Sequence, residues 1–253
     1  MAGHSKWANI KHRKGSQDAK RGQIFTRLSK EITVSAKLGG GDENSNPRLK
    51  AAVQKARQAN MPKDNIEKAI KKGTGELEGV SYEEAVYEGY GNDGIAIMVE
   101  IMTDKKSRTL PEIKNIFSKA GGSLAESGAV EYLFTHTGTI LIKSDGVNEE
   151  ELLEAIMQAE ATDFEKDDDV YLIKTEKENF HKVLNHLEPV IEAKGWELIE
   201  SGLRYLPQAT IELEKEKALA AMKLIDTLEN HEDVQNVYSN LELGDWALDY
   251  DSE

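Results

Sequence analysis

Among the side chains able to do chemistry, the most tightly grouped are cations near the start of the chain. Lys6, Lys11, Arg13 and Lys14 alternate with Trp7, Asn9, His12 and Gln17, and Lys20, Arg21, Arg27 and Lys30 follow. Ammonium and guanidinium groups pair with phosphate, an indole stacks on a base or sugar, and amides and imidazoles hydrogen-bond, so the set suits nucleic acid. The candidate nucleic-acid-binding residues are therefore Lys6, Trp7, Lys11, His12, Arg13, Lys14, Lys20, Arg21, Arg27 and Lys30. A rival reading has Trp7 and Ile10 pinning this arm to the rest of the chain, with the cations solvating it. Both can hold, because a pinned arm still presents its charges.

No constellation argues for catalysis. Gly89-Tyr-Gly91-Asn-Asp-Gly94 spells G-x-G-x-x-G, but the strand-like Ile95-Ala-Ile97-Met-Val99 follows it where a dinucleotide site needs a helix N-terminus; a hairpin turn is expected. His181 and His186 are five apart, whereas two ligands on one helical face want three or four, and Asp167-Asp168-Asp169 lacks the spacing of a calcium loop. With no Cys, thiolate metal sites, disulfides and cysteine nucleophiles are excluded, and no Ser, His and Asp set has a local signature. The expectation is a non-enzyme with no catalytic residue, no metal and no cofactor.

Charge placement supports a polyanionic partner. The chain carries -14 overall, yet residues 1–72 hold 17 Lys+Arg against 6 Asp+Glu, while the remainder holds 15 against 40. Such asymmetry points to nucleic acid or a membrane surface. No apolar run approaches the ~18 residues of a membrane span, and the N-terminus lacks the apolar core of a secretory signal. A soluble, cytoplasmic protein with no membrane partner is expected.

The elements that must position these residues follow from periodicity and breakers. Asp18 is placed to cap a helix with Ile24, Phe25, Leu28 and Ile32 on one side and Lys20, Arg27, Lys30 and Lys37 largely on the other. Gly39–Gly41 end it, Asn46-Pro47 start a second helix, Pro62 opens a third with Lys63, Lys68, Lys71 and Lys72 outside, and Gly73 ends that one. Three single-striped helices must bury their stripes together. Beyond residue 77 the composition turns β-branched: strands are expected at 82–89, 95–103 and 129–134, and a helix starts at the capping box Thr109-Leu-Pro-Glu112. Residues 138–206 read β-α-β-β-α-β, the ferredoxin-like unit. Strand 209–213, helix 215–229 and strand 234–241 then return to the unit left open before it. The fold class is α+β: an N-terminal three-helix bundle plus two α+β domains of ferredoxin-like type, one inserted in the other. The expected domains are 1–77, 78–136 with 207–242, and 137–206, followed by an acidic tail over 243–253.

Several segments resemble the YebC/PmpR family, the bacterial relatives of the mitochondrial translational activator of cytochrome c oxidase subunit I. They are MAGHSKWANIKHRK at 1–14, QDAKRGQIFTRLSKEI at 17–32, the N-P-R-L at 46–49, NMPKDNIEKAIKKG at 60–73, YEGYG at 87–91 and DVQNVYSN at 233–240. The resemblance covers nearly the whole chain and implies three domains and a cytoplasmic, non-enzymatic regulator of gene expression. Family members are described as DNA-binding transcriptional regulators, and others look like translation factors acting on the ribosome where proline-rich nascent chains stall. The partner implied is nucleic acid, DNA or ribosomal RNA, with the ribosome as a possible site of action. A rival of another class is a protein-interaction adaptor whose basic arm grips an acidic protein. No helix shows a base-reading set of Arg, Asn and Gln, and the sequence leaves monomer and weak dimer both open.

Overall fold

The computed structural model describes residues 18–167, 169–244 and 246–247. They pack as two compact units: one holds the described residues up to Ala129 with Leu219–Val237, the other Val130–Ala218 with the described residues from Tyr238 on.

The first unit begins with helices α1 (Asp18–Gly39), α2 (Pro47–Gln58) and α3 (Lys63–Thr74). Their stripes meet in one core of Ile32, Ala36, Leu49, Val53, Ala56, Met61, Ile66 and Ala69, edged by Phe25, Leu28 and Ile70. Asn46 caps α2 as expected, its Oδ1 accepting from Leu49 N at 3.1 Å. Gly73 does not end α3. The helix runs on to Thr74 and is closed by Gly75 at φ 83°, while Gly73 sits where a Cβ would lie 2.3 Å from Thr33 O of α1. This glycine serves close helix packing rather than termination.

Strands β1 (Glu83–Tyr90) and β2 (Ala96–Thr103) form the expected antiparallel hairpin. Its turn places Asp93 at φ 61° and Gly94 at φ 82°, so the glycine-rich run is hairpin geometry. Helix α4 spans Lys106–Lys119, three residues earlier than its supposed capping box. Thr109 is no cap: it is fully buried, with Oγ1 2.8 Å from Thr103 Oγ1. Thr103 instead marks the helix entry, its Oγ1 accepting from Lys105 N at 3.0 Å. A short β3 (Ser123–Leu124) joins β1, and the sheet order is β3-β1-β2-β9, where β9 is Val234–Ser239.

In the second unit no strand covers 129–134. Glu131–Leu133 is a short 3-10 turn, and Phe134 instead opens the long β4 (Phe134–Lys143). Then come α5 (Glu149–Ala159), β5 (Asp163–Asp167), β6 (Val170–Glu176), α6 (Phe180–Lys194) and β7 (Leu198–Pro207). The sheet order β5-β6-β4-β7, antiparallel throughout, is the ferredoxin-like arrangement expected from the sequence. Ile140, Ile142, Tyr171 and Ile173 face α5 and α6 through Leu152, Ile156, Val183, Leu184 and Leu187. A parallel pair, β8 (Ile211–Glu212) with β10 (Leu241–Glu242), lies in the same unit. The remaining helix, α7, is Lys215–Glu229, the span that the sequence indicates. Leu243 and Ala247, read from sequence as part of an acidic tail, are buried.

Candidate nucleic-acid interface

The arm residues Lys6, Trp7, Lys11, His12, Arg13 and Lys14 lie outside the described residues, and Lys20 and Arg21 are placed by backbone in the first turn of α1. Arg27 and Lys30, expected on the outward side of α1, turn inward. The guanidinium of Arg27 donates to Glu229 O, and burial lowers its pKa against the opposing pull of the Glu229 carboxylate. Gln23, one turn before, donates to Asn230 O at 3.3 Å. The polar side of α1 is therefore an internal seam along its middle turns, not a continuous basic face.

Lys30 is the clearest correction. Only 6% exposed, its Nζ lies 2.6 Å from Asp233 Oδ1, 2.9 Å from Glu232 O and 3.2 Å from Met102 O. All three donors of the ammonium are used, leaving none for a phosphate. Asp233 is itself 1% exposed and gathers further donors at Oδ2: Thr109 Oγ1 at 2.7 Å, Arg108 Nη2 at 2.9 Å and Thr103 Oγ1 at 3.0 Å. Burial alone would raise this carboxyl, but the bonds from Lys30, Thr109 and Arg108 reverse that and hold it far below the ordinary carboxylate range. The cluster joins α1, the end of β2, α4 and the residue before β9. Arg48 is likewise engaged, with Nε 2.8 Å from Glu31 Oε1 and Nη2 2.5 Å from Glu84 Oε1. Burial opposes its charge, but those two carboxylates raise its pKa regardless.

Other cations do face solvent. Lys63, Lys68, Lys71 and Lys72 line the outside of α3, and Lys50 and Arg57 that of α2. Lys63 pairs loosely with Glu67 at 3.6 Å and Arg57 with Glu43 at 3.0 Å. Lys50, Lys68, Lys71 and Lys72 have no side-chain partner among the described residues. Helical spacing in the sequence marks the α3 lysines as the outer side of a third helix, but they stand apart from the cation-and-aromatic cluster of residues 6–30 that makes up the candidate set. As compact, hydrated point charges on flexible stems they can meet phosphates; the one amide on this face of α3 is the exposed Asn65. Among the described residues no group of three or more His, Asp or Glu could hold a metal ion, and no helix is long and apolar enough to cross a membrane.

The description "TACO1/YebC protein N-terminal domain" matches residues 5–76, and "TACO1/YebC second and third domain" matches residues 82–241. The chain is 53% identical over 246 residues to a "probable transcriptional regulatory protein" of Leptospira biflexa, covering 97% of this chain and 98% of the relative. It is 50% identical over 243 residues to a protein of the same name from Treponema pallidum, covering 96% and 98%. A crystal structure of a conserved hypothetical protein from Aquifex aeolicus superposes with a TM-score of 0.84 at 41% identity, over 93% of this chain and 96% of that one.

Proposed function

We propose, from the premise that this chain belongs to the TACO1/YebC family, that it is a non-enzymatic, DNA-binding regulator of transcription that acts in the cytoplasm. The observation that carries this reading is the outward lysine row of α3, Lys68, Lys71 and Lys72, exposed and without acidic partners among the described residues. The sequence adds further cations of the same sign before it, Lys6, Lys11, Arg13, Lys14, Lys20 and Arg21, in an otherwise anionic protein. The names of the relatives support regulation of transcription as the setting.

Contact is through phosphates first. Each neutralised phosphate releases counterions, so affinity falls with salt at a slope of about 0.9 per contact on duplex DNA. The test is fluorescence anisotropy with a duplex oligonucleotide across a salt series. Charge reversal at Lys11, Arg13 and Lys14 lowers the slope by about 2.7 if all three contact phosphate, and reversal at Lys68, Lys71 and Lys72 lowers it independently. Unchanged affinity and slope in both triple variants would refute the reading.

A second reading, a translation factor on ribosomal RNA, draws on one feature of the same face. With lysines and a single amide, α3 offers backbone contact without a base-reading set, which serves a folded RNA as well as a duplex. Co-sedimentation with ribosomes, measured beside a promoter-DNA shift under the same salt, separates the two.

A further inference from the structure

Helix α5 does more than close the ferredoxin-like sheet. Asn148 fixes where it starts, its Oδ1 accepting from Glu150 N at 3.0 Å and Glu151 N at 3.3 Å. From that start Leu152, Ala155, Ile156 and Ala159 turn into the core. Residues 150, 153, 154 and 157, spaced i, i+3, i+4 and i+7, therefore form the opposite face, and they are Glu150, Leu153, Glu154 and Met157. Leu153 is 39% and Met157 72% exposed, and the two stand one turn apart. Met61, Met98, Met102 and Met222 are at most 5% exposed, so an exposed methionine is no habit of this chain.

Packing and the helix dipole account for only part of α5. Acids in a first turn suit the dipole, which explains Glu149, Glu150 and Glu151. The acids on its flanks are neutralised: Glu151 lies 2.8 Å from Lys194 Nζ, Glu160 2.6 Å from Lys182 Nζ and Glu149 3.9 Å from Lys166 Nζ. Glu150 and Glu154 have no cation among the described residues, and Glu154 takes only the amide of Gln158 at 3.2 Å. Neither the dipole nor the core asks for Leu153, Glu154 or Met157. The chemistry of a partner follows by complement. A second copy of α5 would set glutamate against glutamate and a nucleic acid would set phosphate against it, and residues 137–206 as a whole hold 7 Lys+Arg against 17 Asp+Glu. What fits is cationic, with apolar side chains between its charges. The face runs along about 10 Å of one helix, which matches two turns of another helix packed against it.

We infer that the outward face of α5 is a docking surface for a basic amphipathic helix of a partner protein, the apolar anchors of that helix lying against Leu153 and Met157 and its lysines or arginines meeting Glu150 and Glu154. A methionine suits the role, because its unbranched, polarisable side chain adapts to the shape of an anchor. The surface goes beyond the nucleic-acid reading and does not depend on it. Its acids repel the polyanion that the lysines of α3 attract, so one chain can hold nucleic acid by one region and a basic protein by another.

Methyl NMR of the full chain, isotope-labelled at the methionine methyls, tests this, because Met157 is an exposed reporter beside buried ones; its signal is identified by its loss in M157L. The probe is a synthetic amphipathic helix of leucine and lysine, compared with its leucine–glutamate counterpart, polylysine and a duplex oligonucleotide. The expected result is a saturable shift of the Met157 methyl with the leucine–lysine helix alone, while the methyls of Met61, Met98, Met102 and Met222 stay in place. E150Q/E154Q and L153S each weaken that binding several-fold. E178Q/E192Q, the same charge change at exposed acids elsewhere in the domain, leaves it unchanged, and the buried methyls report the fold of every variant. No Met157 shift, an equal shift with polylysine, or equal weakening in both double variants overturns the docking surface. A Met157 shift that grows with protein concentration without peptide gives the face to a second copy, and one driven by the oligonucleotide gives it to nucleic acid; either overturns the inference and leaves the salt slope expected of the α3 lysines untouched.

Discussion

Replacing Asp233 with Asn tests the structure where it departs most from the sequence. The substitution keeps the shape and removes the charge, and an amide cannot serve both sides of the site. Its single acceptor oxygen can face Lys30 or the donors on the other side, from Thr103, Thr109 and Arg108, and its NH2 must then point at donors. Either way the ammonium of Lys30 stays buried without a counter-charge. Breaking a buried pair from one side costs about 3–5 kcal/mol. For a chain of this size that lowers the melting temperature by roughly 2–4 °C per kcal/mol, about 6–20 °C in total. Scanning calorimetry at pH 7 reads it, and a cycle with Lys30→Met separates the pair: the double variant loses less than the two single losses added, by about 0.5–3 kcal/mol. Asp233→Asn melting within about 2 °C of the parent would refute the internal role. The pH dependence carries the same sign. The carboxyl is held below its unfolded value of about 3.9, so its contribution is complete above that value and is lost as pH falls through it toward the depressed folded value. The parent therefore loses melting temperature on acidification below about pH 4 more steeply than Asp233→Asn does.

Further outcomes follow from the same geometry. Lys30→Met lowers the melting temperature but leaves the salt slope of oligonucleotide binding unchanged, because its ammonium is spent internally; a reduced slope returns Lys30 to the interface. Gly73→Ala drives a Cβ into Thr33 O and Ala36 Cβ, a backbone clash worth about 1–3 kcal/mol, read by thermal melting. Arg48→Ala loses only about 0–1 kcal/mol despite its two carboxylates, since the pairs are part-exposed and screened; a loss above about 2 kcal/mol contradicts the distinction drawn between it and Lys30. His136 lies stacked on Tyr205 at 4.3 Å, and burial, then Lys177, lowers its pKa. Stability it contributes is whole above its unfolded value of about 6.5 and falls as pH drops below it; the melting temperature of His136→Phe is flatter over that range, and an NMR titration of the imidazole gives the shift directly.

Elements set by local chemistry were legible: the Asn46-Pro47 start of α2, the Asp93-Gly94 hairpin, the β-α-β-β-α-β order and the span of α7. Elements decided by distant partners were not. Thr109 with Glu112 makes a sound capping box, but the hydroxyl is claimed by Asp233, more than a hundred residues on, and the helix starts earlier. Gly73 looks like a terminator because glycine usually is one, and only the approach of Thr33 O shows that it is a packing residue. The split at Asn240 that divides one expected strand into β9 and β10 has no periodic signature, since both halves are apolar enough to be strand. Of the candidate interface, the outer lysines of α3 followed from period alone, whereas the inward turn of Arg27 and Lys30 did not.

The reason lies in what amphipathicity can report. A cation opposite an apolar stripe is compatible with two states, hydrated on the surface or buried against an acid, and helical spacing is identical in both. What separates them is the second partner, here Asp233 for Lys30 and the Glu229 carbonyl for Arg27, each about two hundred residues away. Net charge does not help either, because -14 is satisfied equally by an acid at the surface and an acid in a buried pair. A useful discriminator is continuity: α3 repeats Lys at 63, 68, 71 and 72, more than its own two acids, Asp64 and Glu67, can neutralise, whereas Arg27 and Lys30 are a one-turn pair whose head groups are taken up by Glu229 O, Met102 O, Glu232 O and Asp233. By that criterion the solvent-facing charge of the helical region belongs to α3, and α1 beyond its first turn holds the unit together.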